Sequence, residues 1–190
     1  IMKSLRPELR GVAILSDRSA AGDAIVGAFT AARNLPLPVV DIRRVNTQSE
    51  WMKAVEALQS QAGVALCVAS CSGVLSDAND GTGVPAHEVL RMTAAASRLP
   101  DFSFTGEYVG AEGVMMAVYV PLKEQAAAAG LMANRILFHF GSIQAAGVQR
   151  TGKTSVWVNR DRATALGIKL PANLIELRAE TPNPKAPQPQ

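Results

Sequence analysis

Short apolar runs alternate with helical patterns along most of the chain, and this alternation restricts the fold more than any other feature. The runs GVAILSD (11–17) and GVALCVA (63–69) are bounded by polar or turn residues, which is typical of strands buried in a parallel sheet. PVVDIRRV (38–45) is more polar, so we expect a strand nearer an edge. The alternation predicts an α/β fold, a mostly parallel sheet with helices on both faces in three layers.

The helix boundaries are marked by capping residues. Ser19 is a suitable N-cap for the first long helix, and TQSE (47–50) has the spacing of a capping box. A long helix is predicted over 122–140, after Pro121. Asn159 is expected to cap a short helix that Gly167 ends.

The middle of the chain raises a question of topology. Two apolar runs, FSFT (102–105) and VMMAV (114–118), flank the polar, glycine-rich segment GEYVGAEG (106–113). The segment is compatible with a turn between paired strands or with a segment that carries a polar site. TSVWV (154–158) is predicted to be a further core strand, and LIELRAE (174–180) an edge segment.

Polar residues follow most of the predicted strands. Parallel sheets bind ligands beyond the carboxyl ends of their strands, so we expect these residues to form a polar rim. The rim comprises Ser16, Asp17, Asn46, Thr47, Ser70, Ser72, Gly106, Glu107 and Asn159. The predicted ligand-binding residues are Asp17, Ser19, Asn46, Thr47, Ser70 and Glu107. Taken singly, Ser19, Thr47 and Asn159 are also explained as helix caps.

No catalytic or metal-binding signature is present. The chain lacks GxGxxG, GxxxxGK[ST] and GxSxG, and TGKTS (151–155) precedes a strand instead of a helix. His87 and His139 lie on separate predicted helices without acid-rich partners in sequence, and the spacing of Cys67 and Cys71 favours core thiols while leaving a disulfide open. We therefore expect no metal, no cofactor and no enzymatic activity.

Composition and charge narrow the partners. The chain has 190 residues with a formal charge of +3, and its basic residues are scattered without interleaved aromatics. This pattern does not predict nucleic-acid binding. No apolar run approaches the ~20 residues of a membrane span, and no signal segment is visible in this chain.

Three segments resemble a known family. SVWVNRDRATALGIKLPANLIELRAE (155–180) is similar to the closing segment of ABC-transporter substrate-binding proteins with a type 1 periplasmic-binding fold. The stretch from 99 to 137 is similar to the preceding part of those proteins, and RPELRGVAILSD (6–17) resembles the start of their second lobe. The resemblance extends over about 5–180.

The resemblance implies a division of the chain between two lobes. Residues 1–105 would form the main part of the second lobe. Residues 106–148 would supply a crossover segment with a strand and helix of the first lobe, and 149–180 would return to the second lobe. The proline-rich tail 181–190 is expected to be disordered. In this interpretation GEYVGAEG is a hinge at the ligand site, and VMMAV joins a second sheet.

The resemblance also implies a function. It is that of the substrate-binding component of an ABC-type importer, periplasmic or extracytoplasmic, which binds a small polar or amino-acid-like solute between two lobes without chemistry and delivers it to a permease. A ligand-sensing regulatory domain of the same fold and a small α/β hydrolase-type enzyme remain the alternatives. Separately, the apolar stripe of the 122–140 helix predicts a homodimer through that helix.

Overall fold

The computed structural model describes residues 1–78, 80–138 and 154–171. Within these ranges the strands are β1 (Gly11–Asp17), β2 (Val39–Val45), β3 (Val64–Ser70), β4 (Asp101–Ser103), β5 (Met116–Tyr119) and β6 (Ser155–Val158). The helices are α1 (Met2–Leu5), α2 (Ala20–Ala31), α3 (Gln48–Gln59), α4 (Ala86–Ala96), α5 (Leu122–Phe138) and α6 (Arg160–Ala165). A short 3₁₀ turn spans Gly106–Tyr108.

The six strands form one sheet in the order β2-β1-β3-β4-β5-β6. Neighbouring strands are parallel except for the antiparallel pair β5–β6. The α/β class is therefore confirmed, with β3 inside the sheet and β2 at an edge. We call the side of the sheet formed by the carboxyl ends of the parallel strands the carboxyl edge, and the side formed by their amino ends the amino edge.

Each face of the sheet carries its own apolar layer. On one face Trp51 and Leu58 of α3 pack with Val89 of α4, and the Trp51 indole donates a hydrogen bond to Thr93 Oγ1 at 2.8 Å. The other face contains Ile14, Met115 and the inner residues of α2 and α6. β1 and β3 are buried along their whole length because helices cover both of their faces.

The predicted helix caps are confirmed. The Ser19 side chain accepts a hydrogen bond from Gly22 N, and Thr47 forms a complete capping box with Glu50. Asn159 accepts from Arg162 N at the start of α6. Gly167 ends α6 with a φ of 66°, in the left-handed region that favours glycine.

The assignment of the strand at 114–118 to a second sheet is wrong. β5 pairs with β4 in the same sheet, with Phe102 opposite Met116 and Ser103 opposite Ala117. The pairing is parallel, so the two strands do not form a hairpin either. The physical reason is that Met116 and Ala117 are buried within this sheet, which they complete between β4 and β6. The connection from Phe104 to Met115 thus carries the chain from one edge to the other.

The placement of Asn159 on the ligand-side rim is also wrong. β6 runs antiparallel to β5, so its last residue, Val158, lies opposite Met116 at the start of β5. Asn159 consequently lies at the amino edge, where its backbone N–H donates to Met115 O at 2.8 Å. The predicted rim took every strand end as equivalent, which holds only for parallel strands.

A buried ion pair fastens α6 to the amino edge. Arg162 donates to Asp101 Oδ2 from Nε at 3.0 Å and from Nη2 at 2.6 Å, and both side chains are almost completely buried. The remaining guanidinium hydrogens reach Ala94 O and Ser97 O, at the end of α4. One cation thereby joins β4, α4 and α6.

Helix α5 confirms the predicted helix as far as Phe138, and none of its described side chains is buried. Leu122, Leu131, Leu137 and Phe138 are each 70% or more exposed. Several predictions fall outside the described residues. These concern His139, Phe140, most of TGKTS, the segment 174–180 and the tail 181–190.

Candidate functional site

The parallel strands β1 and β3 end side by side at the carboxyl edge. Ser16 lies opposite Ser70, so the loops that follow both strands begin next to each other. These loops carry Ser19 and Gly73, and the 3₁₀ turn after β4 adds Tyr108 beside them. The topology thus brings together residues far apart in the sequence.

The Asp17 carboxylate lies at the centre of this arrangement and is fully buried. Its Oδ1 accepts hydrogen bonds from Ser19 N at 3.0 Å and Ser19 Oγ at 2.5 Å. Its Oδ2 accepts from Ser70 Oγ at 3.0 Å and Gly73 N at 2.6 Å. We call Asp17, Ser19, Ser70 and Gly73 the carboxylate cluster.

The cluster keeps Asp17 ionised. Burial raises the pKa of the Asp17 carboxyl, but the hydrogen bonds from Ser19, Gly73 and Ser70 together lower it by more. The resulting pKa lies below the ordinary value of 3.8. At neutral pH the cluster therefore contains a full negative charge held by uncharged donors.

The first turn of α2 packs closely over the end of β1. A Cβ atom at Gly22 would lie 2.4 Å from Ser16 Oγ and 2.8 Å from Asp17 Oδ1, so only glycine fits there. Ser16 Oγ is buried and has no hydrogen-bond partner among the described residues. This close approach brings the first turn of α2 against the carboxylate.

Tyr108 connects the 3₁₀ turn to the end of β3. Its hydroxyl accepts a hydrogen bond from Cys71 N at 3.2 Å. Burial raises the pKa of Tyr108 to about 12 and that of the Cys71 thiol also to about 12. Both groups are thus protonated at neutral pH. Cys67 and Cys71 are both free and buried, as expected for core thiols.

Asn46 and Thr47 belong to a second, separate arrangement. Leu75, in the loop after β3, accepts from Gln48 N at 2.9 Å and donates to Asn46 O at 2.8 Å. Thr47 Oγ1 caps α3, and Glu50 Oε2 accepts from Asn46 N at 2.7 Å. The Asn46 side chain itself is exposed at the carboxyl edge.

Glu107 is exposed on the 3₁₀ turn. The Tyr119 ring packs closely against Gly106 of this turn, where an added Cβ atom would lie 2.9 Å from the ring. Tyr119 in turn makes an edge contact with Trp157, with ring centroids 4.9 Å apart. Glu107 therefore projects from a segment whose backbone rests on an aromatic pair.

Sequence reasoning missed Gly73, Tyr108 and the Tyr119–Trp157 pair as parts of this edge. Gly73 acts through its backbone N–H, which leaves no signal in the residue type. Tyr108 stands in the polar segment that the sequence singled out. Its link to Cys71 depends on the parallel placement of β3 and β4, which no local pattern encodes.

An open groove of about 670 Å³ lies beside β2 and α3. Its charged lining consists of Arg18, Arg43, Arg44, Lys53 and Glu50. Exposed ion pairs to Asp41 and Asp23 occupy Arg43 and Arg44. The groove is therefore less basic than its lining suggests.

The described part of the chain contains neither a metal-binding cluster nor a helix that could span a membrane. In residues 1–78, 80–138 and 154–171, no group of histidine, cysteine and acidic side chains is arranged to hold a metal ion. Over the same ranges, the helices are too short or too polar to cross a membrane.

Comparison with solved structures places the fold. A ligand-free, open substrate-binding protein with adhesive properties from Clostridium difficile, CD0873, superposes with a TM-score of 0.63 and 17% identity, over 90% of this chain and 55% of that one. The ABC domain from Streptococcus pneumonia in complex with L-Trp gives 0.62 and 17%, over 94% and 58%. A conserved domain protein from Vibrio cholerae O1 biovar El Tor gives 0.58 and 14%, over 94% and 56%.

This chain thus spans little more than half the length of those structures. No family model matches it, and no curated protein matches it. At 14–17% identity the likeness establishes the fold alone. The chain therefore has the fold of a lobe of the periplasmic-binding-protein-like substrate-binding proteins, as the resemblance in its sequence predicts.

Proposed function

We propose that this chain is the solute-binding part of an ABC-type importer and binds a small polar or amino-acid-like solute at the carboxyl edge. The observation that carries the proposal is the convergence of the carboxylate cluster and the exposed Glu107 on the edge where open α/β sheets bind ligands. The L-Trp complex of the Streptococcus pneumonia domain, which shares the fold, supports an amino-acid-like solute.

The exposed groups have complementary roles in this proposal. Glu107 pairs with the ammonium group of the solute, and its attraction strengthens when a second lobe closes and lowers the local dielectric. Ser19, Asn46 and Thr47 orient the polar part of the solute through hydroxyl and amide groups, and the buried Ser70 contributes through its hydrogen bond to Asp17. Binding of this kind shifts the population of lobe positions towards the closed state.

We propose that the chain performs no chemistry on the solute. The Tyr108 hydroxyl and the Cys71 thiol are potential nucleophiles near the edge, but burial raises the pKa of each to about 12. Neither group is activated at neutral pH, because only the deprotonated form is strongly nucleophilic.

The remaining parts of the proposal concern location and the lobes. The protein would act in the periplasm or another extracytoplasmic compartment and deliver solute to a permease. In this proposal residues 1–105 would form the main part of one lobe, and residues 106–148 would include the passage to the other lobe. Residues 149–180 would return to the lobe of residues 1–105, and residues 181–190 would form the tail. The strand Met116–Tyr119 belongs to the described sheet in this division.

Helix α5 also needs a partner surface. Its exposed leucines and Phe138 would be costly to leave in water, and Ala126, Gly130 and Ala133 allow another backbone to approach closely. We propose that a second copy of this chain covers α5 in a symmetric dimer. Light scattering should give the mass of a dimer, and Leu131→Glu should give a monomer. Gln125→Glu, an equal change of charge at an exposed position about 120° around the helix from Leu131 and from Leu137, is the control. A monodisperse monomer for the unaltered chain would contradict this dimer.

Solute binding is tested by titrating the chain with L-tryptophan in isothermal calorimetry. Glu107→Gln should weaken binding about tenfold or more, because the ammonium loses its charged partner. Glu56→Gln on the exposed side of α3 removes the same charge elsewhere and should leave the affinity unchanged. Equal affinity in all three proteins would exclude Glu107 from the site. Absence of saturable binding by the unaltered chain would count against the amino-acid-like solute.

A further inference from the structure

The bonding of Asp17 differs from what a ligand-contacting acid requires. A carboxylate has about four acceptor positions, and here Ser19 N, Ser19 Oγ, Ser70 Oγ and Gly73 N occupy them. The side chain is fully buried. A solute at the edge therefore finds no accessible oxygen of Asp17 with which to bond.

The same four bonds determine where the edge residues lie. Ser19 is fixed twice by Asp17 and in turn caps α2 through Gly22 N at 3.1 Å. Gly73 is drawn so close that a Cβ atom there would lie 3.1 Å from Asp17 Oδ2. One side chain thus positions the loop after β1 and the loop after β3.

Hydrogen bonds connect this cluster to the turn that carries Glu107. Ser70 donates to Asp17, and the next residue, Cys71, donates its backbone N–H to Tyr108 Oη. Tyr108 follows Glu107 directly in the 3₁₀ turn. The end of β3 is therefore held by Asp17 on one side and by the Glu107 turn on the other.

We propose that Asp17 is a positioning residue that ties these three strand-end segments into one binding edge and does not itself contact the solute. This inference rests on the proposed function for the existence of a solute. Within the proposed function, Asp17 is then not a group that binds the solute but the anchor of Ser19 and the Gly73 loop. Ser19, which is only half-buried, and the exposed Ser72 of that loop are then the groups presented to the solute.

The first test separates positioning from direct contact by using two probes, L-tryptophan and indole-3-propionate, which lacks the amine. Asp17→Asn puts an amide N–H₂ among groups that donate, so the cluster loosens. Positioning predicts that affinity for both probes falls by a similar factor of about ten or more. A loss confined to L-tryptophan would show that Asp17 contacts the ammonium, and unchanged affinity for both would exclude any role. Both results overturn the inference.

The second test does not depend on solute. In ¹H–¹⁵N spectra of the full chain, the amide resonances of Ser19 and Gly73 should shift together as pH falls below 3.8 and Asp17 becomes protonated. In Asp17→Asn this shared titration should be absent, whereas Asp161→Asn, an exposed acid on α6, should retain it. Independent titrations of the two amides would overturn the inference.

The two tests keep the proposals distinguishable. If the unaltered chain binds neither probe, the proposed function fails, and the shared amide titration still decides whether Asp17 ties the segments. If Asp17→Asn does not fold, Ser70→Ala removes one of the four donors. It should weaken both probes in the same ratio by a smaller factor, and a loss for one probe alone would again contradict positioning.

Discussion

The two buried acids of this sheet, Asp17 at the carboxyl edge and Asp101 at the amino edge, are satisfied in different ways. Asp101 Oδ2 receives two hydrogen bonds from Arg162, and its Oδ1 accepts from Met115 N at 2.6 Å. Asp17 receives only hydroxyl and backbone N–H donors. The Asp101 carboxylate is thus paired with a cation, whereas the Asp17 carboxylate is held by uncharged donors alone.

This difference between the two acids assigns a stabilising role to Asp101 and a role in the proposed binding edge to Asp17. A buried charge that is paired with a cation contributes a rigid fastening and little outward field, since the two charges largely cancel beyond a short distance. An unpaired carboxylate is stabilised by oriented dipoles and still attracts cations from outside. The sheet therefore fastens α6 at one edge and keeps the negative charge of Asp17 at the edge where we propose an ammonium-bearing solute binds.

Removing the cation at the amino edge should have the largest effect. Burial raises the pKa of Asp101 even beside Arg162, so Arg162→Met leaves a buried carboxyl that must lose its charge or remain without a partner, which should lower the free energy of unfolding by about 3–5 kcal/mol. Urea unfolding measures the change, and Asp101→Asn in the same chain should restore part of it. Arg91→Ala, which removes an exposed ion pair to Glu112, should change stability little. Equal effects of the Arg91 and Arg162 variants would refute the fastening.

Removing the charge at the carboxyl edge should cost less but introduce a dependence on pH. Asp17→Asn should lower the free energy of unfolding by about 1–3 kcal/mol at neutral pH, because buried donors lose their acceptor. Since the folded pKa of Asp17 lies below 3.8, its contribution is present above pH 3.8 and disappears as pH falls through the folded value. The difference between the two proteins should therefore narrow in acid.

This dependence is measured by urea unfolding at neutral pH and at successive points below pH 3.8. Asp161→Asn again serves as the exposed control. A difference between wild type and Asp17→Asn that stays constant into acid would mean that the carboxylate charge contributes nothing. The contrast between the two edges would then be lost.

The sequence predicted the elements of this edge better than their connections. Strand and cap signals at 11–17 and 47–50 are local, because burial, period and capping act within one turn or one strand. Asp17 and Gly73 meet across 56 positions of sequence, and only the sheet order brings them together. A backbone donor also leaves no trace in residue identity. The cluster was therefore predictable as a polar edge but not as a bonded unit.

The two wrong placements have a common cause. Apolar strands resemble one another whichever sheet they join, so VMMAV (114–118) gave no information on its neighbour. The amino-acid composition of a strand does not indicate its direction either. Asn159 was therefore predicted at the carboxyl edge, whereas it lies at the amino edge. Both errors concern partner and direction, which depend on the whole topology.

The prediction with the smallest expected effect concerns energetic coupling between the hydrogen bonds of Asp17 and the turn that carries Glu107. Tyr108→Phe removes the acceptor of the buried Cys71 N–H and should lower the free energy of unfolding by about 1 kcal/mol, with no dependence on pH below 7, since the change involves no charge there. The informative measurement is a double-mutant cycle with Ser70→Ala. A coupling above about 0.5 kcal/mol would show that the two bonds at the end of β3 act as one network. Additive losses would mean that the turn with Glu107 is held independently of Asp17, and the carboxyl edge would then consist of two separate units.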